Sequence, residues 1–311
     1  MLSSTSNSEP KRRRLWPVLA WAAAILASYA CLVQFFVPAV RVELYPSSEF
    51  NHILSEGFLT SPTAAPIAVA GSSLAQHLPA SVLRPFAVNV ALAGGGPLTG
   101  LELAALARAA PRLVLVETNF VERGPDEKIL ERASDYPWNV LRQHVKAAQY
   151  AYRPTNLLYA ALRYMREKPA PAELVMLPKD MIEKLIQKSR ADLSQPAPAD
   201  LLKERLDQMD AEIAHLNERG ICVAFFEMPV DAALEATVRL VDNREAMQRR
   251  FPSARFPWLA VQLPTPARTS DGLHLAIPDA TLVAEQLLAQ AKALVAASQC
   301  GPVALRAEAD R

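Results

Sequence analysis

Two short segments of this 311-residue chain hold the residue types of a nucleophilic serine site. In the first, Ser72 and Ser73 follow Gly71 at the end of a short apolar run. In the second, Asp271 and His274 stand three positions apart near the C-terminus. A serine hydroxyl is a poor nucleophile at neutral pH, so it needs a histidine to remove its proton and an acid to orient that histidine. We predict a catalytic set of Ser73, His274 and Asp271, with Ser72 as the alternative nucleophile.

Two further segments suit the stabilisation of an oxyanion. The run Gly94–Gly96 lacks side chains, so a backbone N–H can approach a ligand closely there. Asn119 follows another apolar run and carries a side-chain amide. We predict that the N–H near Gly94 and the amide of Asn119 form an oxyanion hole, with the N–H of Ser73 as another donor. The alternative is that both segments only make tight turns.

The sequence pattern around these groups predicts alternating strands and helices. The run 67–70 is wholly apolar, which is typical of a strand with both sheet faces covered. The alternation predicts an α/β domain with a mostly parallel, doubly wound sheet, whose active residues gather at the carboxyl ends of strands. The predicted strands are 67–70, 86–92, 112–118, 221–228 and 258–263, and the clearest helices are 98–110 and 278–298.

Residues 121–220 interrupt the alternation with about a hundred residues of helical character and several proline breaks. This length exceeds that of a plain crossover, so we predict a helical insertion that forms a subdomain or lid.

The N-terminus predicts a membrane anchor. Residues 15–40 contain no charged side chain and exceed the roughly 20 apolar residues that cross a bilayer. The basic cluster 11–14 precedes them, which by the positive-inside rule keeps the N-terminus in the cytoplasm. We therefore predict a single-pass protein of the inner (cytoplasmic) membrane with a periplasmic, extracytoplasmic catalytic domain. A cleaved signal peptide is the competing interpretation, because 22–30 is rich in small residues.

Composition agrees with one anchored domain of about 270 residues beyond the anchor. A formal net charge of +1 and a pI near 7.7 give no basic excess for nucleic acid. No Cys/His spacing predicts a metal site, and we expect no cofactor. A Cys222–Cys300 disulfide is an open question that spacing does not decide. The predicted parts are a tail (1–14), anchor (15–40), linker (41–64), catalytic domain (65–299) with its insertion, and C-terminal tail (300–311).

These motifs, in this order, resemble those of the SGNH hydrolase superfamily, also called the GDSL family. Gly71–Leu74 resembles the first block, Asn89 through Gly94 the second, and Asp271 with His274 the last. The segment 117–120 resembles the third block, Gly-x-Asn-Asp, through its asparagine. The resemblance implies a three-layer α/β/α sandwich and an esterase, lipase, deacetylase or acyltransferase activity.

The chain departs from the family pattern at three positions, where Ser72, Glu117 and Phe120 replace the usual aspartate, glycine and aspartate. The Gly-Ser-Ser start, the anchor and the insertion resemble a divergent branch of anchored proteins that assist O-acylation of exopolysaccharides and cell-wall polymers. The resemblance implies an acylated polysaccharide or small acyl ester as substrate, and a multipass membrane-bound O-acyltransferase as partner. The alternative is an inactive SGNH-like scaffold that assists such an acyltransferase or an export machinery.

Overall fold

The structure is a computed structural model that describes residues 10–37, 45–166, 178–263 and 266–297. It is an α/β protein with one five-stranded parallel sheet, many helices and one N-terminal apolar helix. The strands are β1 (Ile67–Ala70), β2 (Ala87–Asn89), β3 (Leu113–Glu117), β4 (Cys222–Phe226) and β5 (Trp258–Leu259). The helices are α1 (Pro10–Phe36), α2 (Ser47–Thr60), α3 (Ser73–Gln76), α4 (Ala80–Leu83), α5 (Pro97–Leu106), α6 (Glu127–Ser134), α7 (Tyr136–His144), α8 (Pro154–Arg166), α9 (Lys179–Leu193), α10 (Ala199–Glu218), α11 (Ala232–Glu235), α12 (Val238–Arg250) and α13 (Ile277–Ala296).

The sheet order is β2-β1-β3-β4-β5, and every neighbouring pair is parallel. The order reverses between β1 and β3, so the chain leaves the carboxyl ends of these adjacent strands in opposite directions. Ligands of open parallel sheets bind in the crevice at such a switch point. The predicted parallel sheet is confirmed.

Alternate residues along the central strands enter two different hydrophobic clusters, because successive strand side chains point to opposite faces. Val114 and Val116 of β3 join one cluster, and Leu113 and Leu115 join the other. Helices α5, α10 and α12 contribute to the first cluster, and α3 and α13 to the second. Burial on both faces explains why the strand residues are almost all apolar.

Some predicted strands are longer than the observed ones. β2 ends at Asn89, although the N–H groups of Val90 and Leu92 still donate to the carbonyls of Val69 and Gly71, at 2.8 and 3.0 Å. β5 has only two residues, which pair with Phe225 and Phe226.

Two predicted boundaries differ from the structure. The predicted linker 41–64 contains α2, whose buried face packs against α5, α6 and α7. The predicted insertion ends too late, because α10 is the crossover helix between β3 and β4. Met209, Ile213 and Leu216 of α10 share a core with Val223 of β4. The rest of 121–220 is helical as predicted, apart from 167–177, which lie outside the described residues.

Within α1, Leu15–Phe36 is a 22-residue helix with mean hydropathy 1.9, long and apolar enough to cross a membrane. Its C-terminal part packs against two 3-10 turns, Lys146–Ala148 and Tyr150–Tyr152. The backbone N–H of Lys146 donates to the side-chain oxygen of Gln34 at 3.0 Å, and the hydroxyl of Tyr29 donates to the carbonyl of Tyr152. The predicted anchor residues 38–40 and the C-terminal tail 300–311 lie outside the described residues.

We expect Gly100→Ala to lower the free energy of unfolding by about 1–3 kcal/mol, because overpacking a close backbone contact forces the elements apart. A Cβ at Gly100 on α5 would lie 2.5 Å from the Cβ of Ala70 at the end of β1. Urea unfolding of the full chain in detergent, followed by circular dichroism, measures the change.

The matched control is Gly57→Ala on α2, where no atom lies within 4 Å of the added Cβ. This variant should gain about 0.5–1 kcal/mol, because alanine favours a helix interior over glycine. Equal stability of Gly100→Ala and the wild type would contradict the direct contact of α5 with β1.

Candidate active site

The turn after β1 gives its two serines different environments. Ser72 is fully buried, and its hydroxyl accepts the N–H of Leu74 at 3.2 Å as the N-cap of α3. Ser73 is the first residue of α3 and is partly exposed. The side chain of Ser72 therefore starts the helix, and the hydroxyl of Ser73 is the one that faces the site.

Ser73, His274 and Asp271 form one chain of hydrogen bonds. The Oγ atom of Ser73 lies 2.9 Å from Nε2 of His274, and Nδ1 of His274 lies 2.6 Å from Oδ2 of Asp271. Because an ionised carboxylate can only accept, Nδ1 carries the proton and Nε2 is free to accept the serine proton. The structure thus brings together the three residues predicted from the sequence, in the order that activates a serine.

The environment of Asp271 favours its ionised form. Partial burial raises its pKa, but hydrogen bonds from the side chain and backbone of His274 outweigh this effect and lower the pKa to about 2. Oδ1 accepts the backbone N–H groups of Leu273 and His274 at 3.0 and 2.8 Å, which leaves Oδ2 for the imidazole. The carboxylate is therefore charged at neutral pH and held in place by its own loop.

This loop is a tight turn between β5 and α13. An isolated antiparallel bridge joins Thr269 to Leu275, and Gly272 has a φ of +93°. A side chain at Gly272 would be strained by this φ and would also meet Cγ1 of Ile186 on α9 at 2.7 Å. Glycine is therefore required for α9 to lie directly over the loop that carries Asp271 and His274.

Glu117, at the end of β3, connects the serine turn to the neighbouring loop. Its fully buried carboxyl accepts the N–H of Ser72 and the N–H of Asn119, both at 2.7 Å. Complete burial raises the pKa of Glu117, and the bonds from Ser72 and Asn119 and the charge of Arg123 oppose the rise. A Cβ on Gly71 would lie 2.6 Å from the Cβ of Glu117, so only glycine fits beside this carboxyl.

The glycine loop after β2 is held by α2. The side chain of Asn51 accepts the N–H of Ala93 and donates to its carbonyl, each at 3.0 Å. Gly94 follows with a φ of +74°. Within the described residues, the backbone N–H groups of Gly94 and Ser73 have no hydrogen-bond partner, so both are available to an oxyanion. The oxyanion role of Gly94 stays a prediction.

Asn119 is tied to the end of β4. Its Oδ1 accepts the N–H of Met228 at 2.8 Å, and its Nδ2 donates to the carbonyl of Met228 at 2.9 Å. Asn243 on α12 donates to the carbonyl of Asn119 at 2.9 Å. The bond to the carbonyl of Met228 occupies one of the two N–H groups of the Asn119 amide. The predicted oxyanion role of Asn119 depends on the second proton and stays a prediction.

A second imidazole, that of His77, lies beside the imidazole of His274. The ring centroid of His77, at the end of α3, is 4.4 Å from that of His274. Burial, and after it the neighbouring His274, lower the pKa of His77 to about 4, and Asp271 opposes part of this change. His77 is therefore neutral at pH 7 and adds no positive charge beside His274.

Sequence reasoning missed two of the residues that build the site. Glu117 looked only like a departure from a motif, and Asn51 fell in a predicted linker. Asn51 holds the N–H of Ala93 and Glu117 holds the N–H of Ser72, which are 42 and 45 residues away, so neither contact has a local signature. Among the described residues, no three His, Cys, Asp or Glu side chains gather as a metal-binding group. Cys300 lies outside the described residues, so the pairing with Cys222 stays untested.

The fold and these contacts define a parallel α/β domain with a Ser-His-Asp arrangement at the carboxyl ends of its strands. A scan against protein-family models finds no match, and searches of curated proteins and of solved structures find none either.

We expect Glu117→Ala to lower the free energy of unfolding by about 2–4 kcal/mol, because two buried N–H groups lose their acceptor and a cavity forms. Urea unfolding at several pH values measures the loss. Burial raises the pKa of Glu117, so its favourable contribution is complete below its unfolded pKa, near 4.5, and diminishes as pH rises through the folded value. The loss should therefore be largest near pH 4.5.

Glu245→Ala is the control, because Glu245 is exposed on α12 and, among the described residues, its ion-pair partner is the exposed Arg249. It should change stability by less than about 0.5 kcal/mol. A loss in Glu117→Ala that grows with rising pH would contradict the raised pKa.

Proposed function

We propose that this protein is a membrane-anchored serine esterase or O-acyltransferase of the SGNH type, which acts on acyl esters of an envelope or exopolysaccharide. The observation that carries the proposal is the unbroken contact from Ser73 Oγ to His274 Nε2, at 2.9 Å, and from His274 Nδ1 to Asp271, at 2.6 Å. Each contact is within hydrogen-bond reach of a proton that the reaction must move.

The mechanism begins when His274 accepts the proton of Ser73 while the serine oxygen attacks the ester carbonyl. Asp271 holds the Nδ1–H tautomer and stabilises the imidazolium. The N–H groups of Gly94 and Ser73, with the remaining amide proton of Asn119, stabilise the negative oxygen of the intermediate. His274 then returns the proton to the leaving alcohol, which leaves the acyl group on Ser73.

In the second half, His274 takes a proton from an incoming hydroxyl, whose oxygen attacks the acyl-serine carbonyl. The bond from that carbonyl to the Ser73 oxygen then breaks, and His274 returns the proton to Ser73. If water supplies the hydroxyl, the protein is an esterase, and if a sugar supplies it, the protein is an acyltransferase. We favour transfer to a sugar, because α9 covers the triad loop and the anchor keeps the domain near envelope polymers.

The family assignment is supported by the placement of its motif residues. Ser73 follows β1 and Asn119 follows β3, at the switch point of the sheet, and His274 precedes α13. Helices contribute to the hydrophobic clusters on both faces, which favours a three-layer α/β/α sandwich. A multipass membrane-bound O-acyltransferase is the partner that we propose as the source of the acyl group.

We expect Ser73→Ala and His274→Ala to reduce kcat for an activated acetyl ester by at least about 10³-fold. The experiment uses the full chain in detergent and adds labelling by a serine-directed phosphonate, which should fail in Ser73→Ala. Ser72→Ala is the matched control, because its hydroxyl caps α3 and does not contact His274. It should remain labelled, with a stability loss of about 1 kcal/mol.

Full activity in Ser73→Ala would contradict the triad. A folded wild-type protein that neither hydrolyses the ester nor reacts with the phosphonate would favour the inactive scaffold instead.

We expect the full chain, produced in bacterial cells, to remain in the membrane pellet after a carbonate wash. Protease added to spheroplasts should digest the domain, since the proposed orientation places it outside the cytoplasm. Replacing Ile25 and Leu26 together by Asp should release the protein, because both lie at the centre of the span 15–36 and each charge there costs about 3 kcal/mol. Replacement of both by Val is the control.

A domain protected from protease would contradict the orientation. A mature chain whose N-terminus begins within 22–31 would identify a cleaved signal peptide in place of the anchor.

A further inference from the structure

A cleft of about 490 Å³ opens beside the triad. Its walls come from the loop after β3, from α9, from the first turn of α12 and from the turn that carries the triad acid and base. The residues that matter for its chemistry are Phe120, Arg123, Asp192, Arg239 and Leu273.

The cleft holds two arginines that form no direct salt bridge in the part of the chain that the structure describes. Within the described residues, neither Arg123 nor Arg239 has an acidic partner within 4 Å. Arg123 donates to the carbonyl of Gly95 at 3.3 Å, and its guanidinium lies 3.9 Å from the ring centroid of Phe120. Arg239 donates through Nε to the carbonyl of Gln195 at 3.1 Å. Each guanidinium therefore keeps further N–H groups for a ligand.

The two arginines are close enough to repel each other. Burial lowers the pKa of Arg123, and the charge of Arg239 adds to this effect, while Glu122 and Glu117 oppose it. Asp192 lines the cleft together with the two guanidiniums, while Glu122 and Glu117, which are not among its lining residues, act on Arg123 from outside it. Partly buried like charges are unfavourable unless an anion joins them. The planar fork of a guanidinium suits a carboxylate or a phosphate in particular.

The position of the cleft relates it to the reacting groups. Phe120 follows the proposed oxyanion residue Asn119, and Leu273 precedes His274. Arg123 also holds Gly95, which adjoins Gly94 in the glycine loop. Arg239 lies in the first turn of α12, where the helix dipole also favours negative charge. The cleft therefore adjoins, in the chain, the loops that carry the proposed oxyanion residues and the base His274.

We propose that this cleft binds an anionic group, a carboxylate or a phosphate, carried by the sugar that donates or accepts the acyl group. The binding of the anion depends only on the two arginines, whereas its link to acyl transfer rests on the proposed function. The substrate class would then be an acidic saccharide and not a neutral one.

The experiment measures binding to the full chain in detergent by saturation-transfer NMR and calorimetry. The probes are D-galacturonate and D-glucose 6-phosphate, with D-galactose and D-glucose as their neutral counterparts. We expect at least one anionic probe to bind at least tenfold more tightly than its neutral counterpart. Arg239→Gln should weaken that binding about tenfold, and Arg239→Lys should restore part of it.

Arg249→Gln is the matched control, because Arg249 lies exposed on the same helix and pairs with Glu245. It should leave the Kd of both anions unchanged. Tighter binding of galacturonate would indicate a carboxylated sugar, and tighter binding of glucose 6-phosphate a phosphorylated one. Equal binding of charged and neutral probes, or an unchanged Kd in Arg239→Gln, would overturn the proposal.

These readouts need no turnover, so they separate the two proposals. Anion binding in a protein without esterase activity would support the anion site and contradict the proposed acyl chemistry. Esterase activity without anion binding would support the acyl chemistry and contradict the anion site.

Discussion

Two backbone N–H groups, one from the turn after β1 and one from the loop after β3, converge on the buried carboxyl of Glu117. The strands β1 and β3 are neighbours at the point where the sheet order reverses, so the loops that follow them run in opposite directions. The carboxyl of Glu117 connects these two loops by accepting one N–H group from each. Because Ser72 is held inward by its N–H and caps α3 with its hydroxyl, Ser73 is left to face His274.

The rest of the site is assembled by similar contacts between loops and distant side chains. Asn51 holds the glycine loop from α2, and Asn119 holds the end of β4 through Met228. The turn that carries Asp271 and His274 is closed by its own bridge and covered by Ile186. Each loop therefore has a second attachment besides its strand, which limits the motion of groups that must stay within hydrogen-bond distance.

The sequence predicted the parts of the site whose signature is local. A serine after a strand, an aspartate three residues before a histidine, and a run of glycines are visible without a fold. The contacts of Asn51 with Ala93 and of Glu117 with Ser72 were not predictable in this way, because these partners are backbone groups 42 and 45 residues away. The role of α10 was misread for a related reason. Its amphipathic pattern predicts a helix, but only the packing of Met209 and Leu216 against the sheet shows which helix crosses over.

The contact between Gly71 and Glu117 also bears on how relatives of this chain would look. A side chain at position 71 would collide with the carboxyl-bearing side chain at 117, so the two positions constrain each other across 46 places in the sequence. Any residue but glycine at 117 places its Cβ about 2.6 Å from a Cβ at 71, so a relative that enlarges 71 must have glycine at 117 or hold the two segments further apart. A glycine at 71 together with a glutamate at 117, in a sequence that also has Ser73 and Asn119, therefore indicates a serine turn held by a buried carboxyl. Relatives in which both 71 and 117 are substituted would have to connect the turn after β1 and the loop after β3 through a group other than this carboxyl.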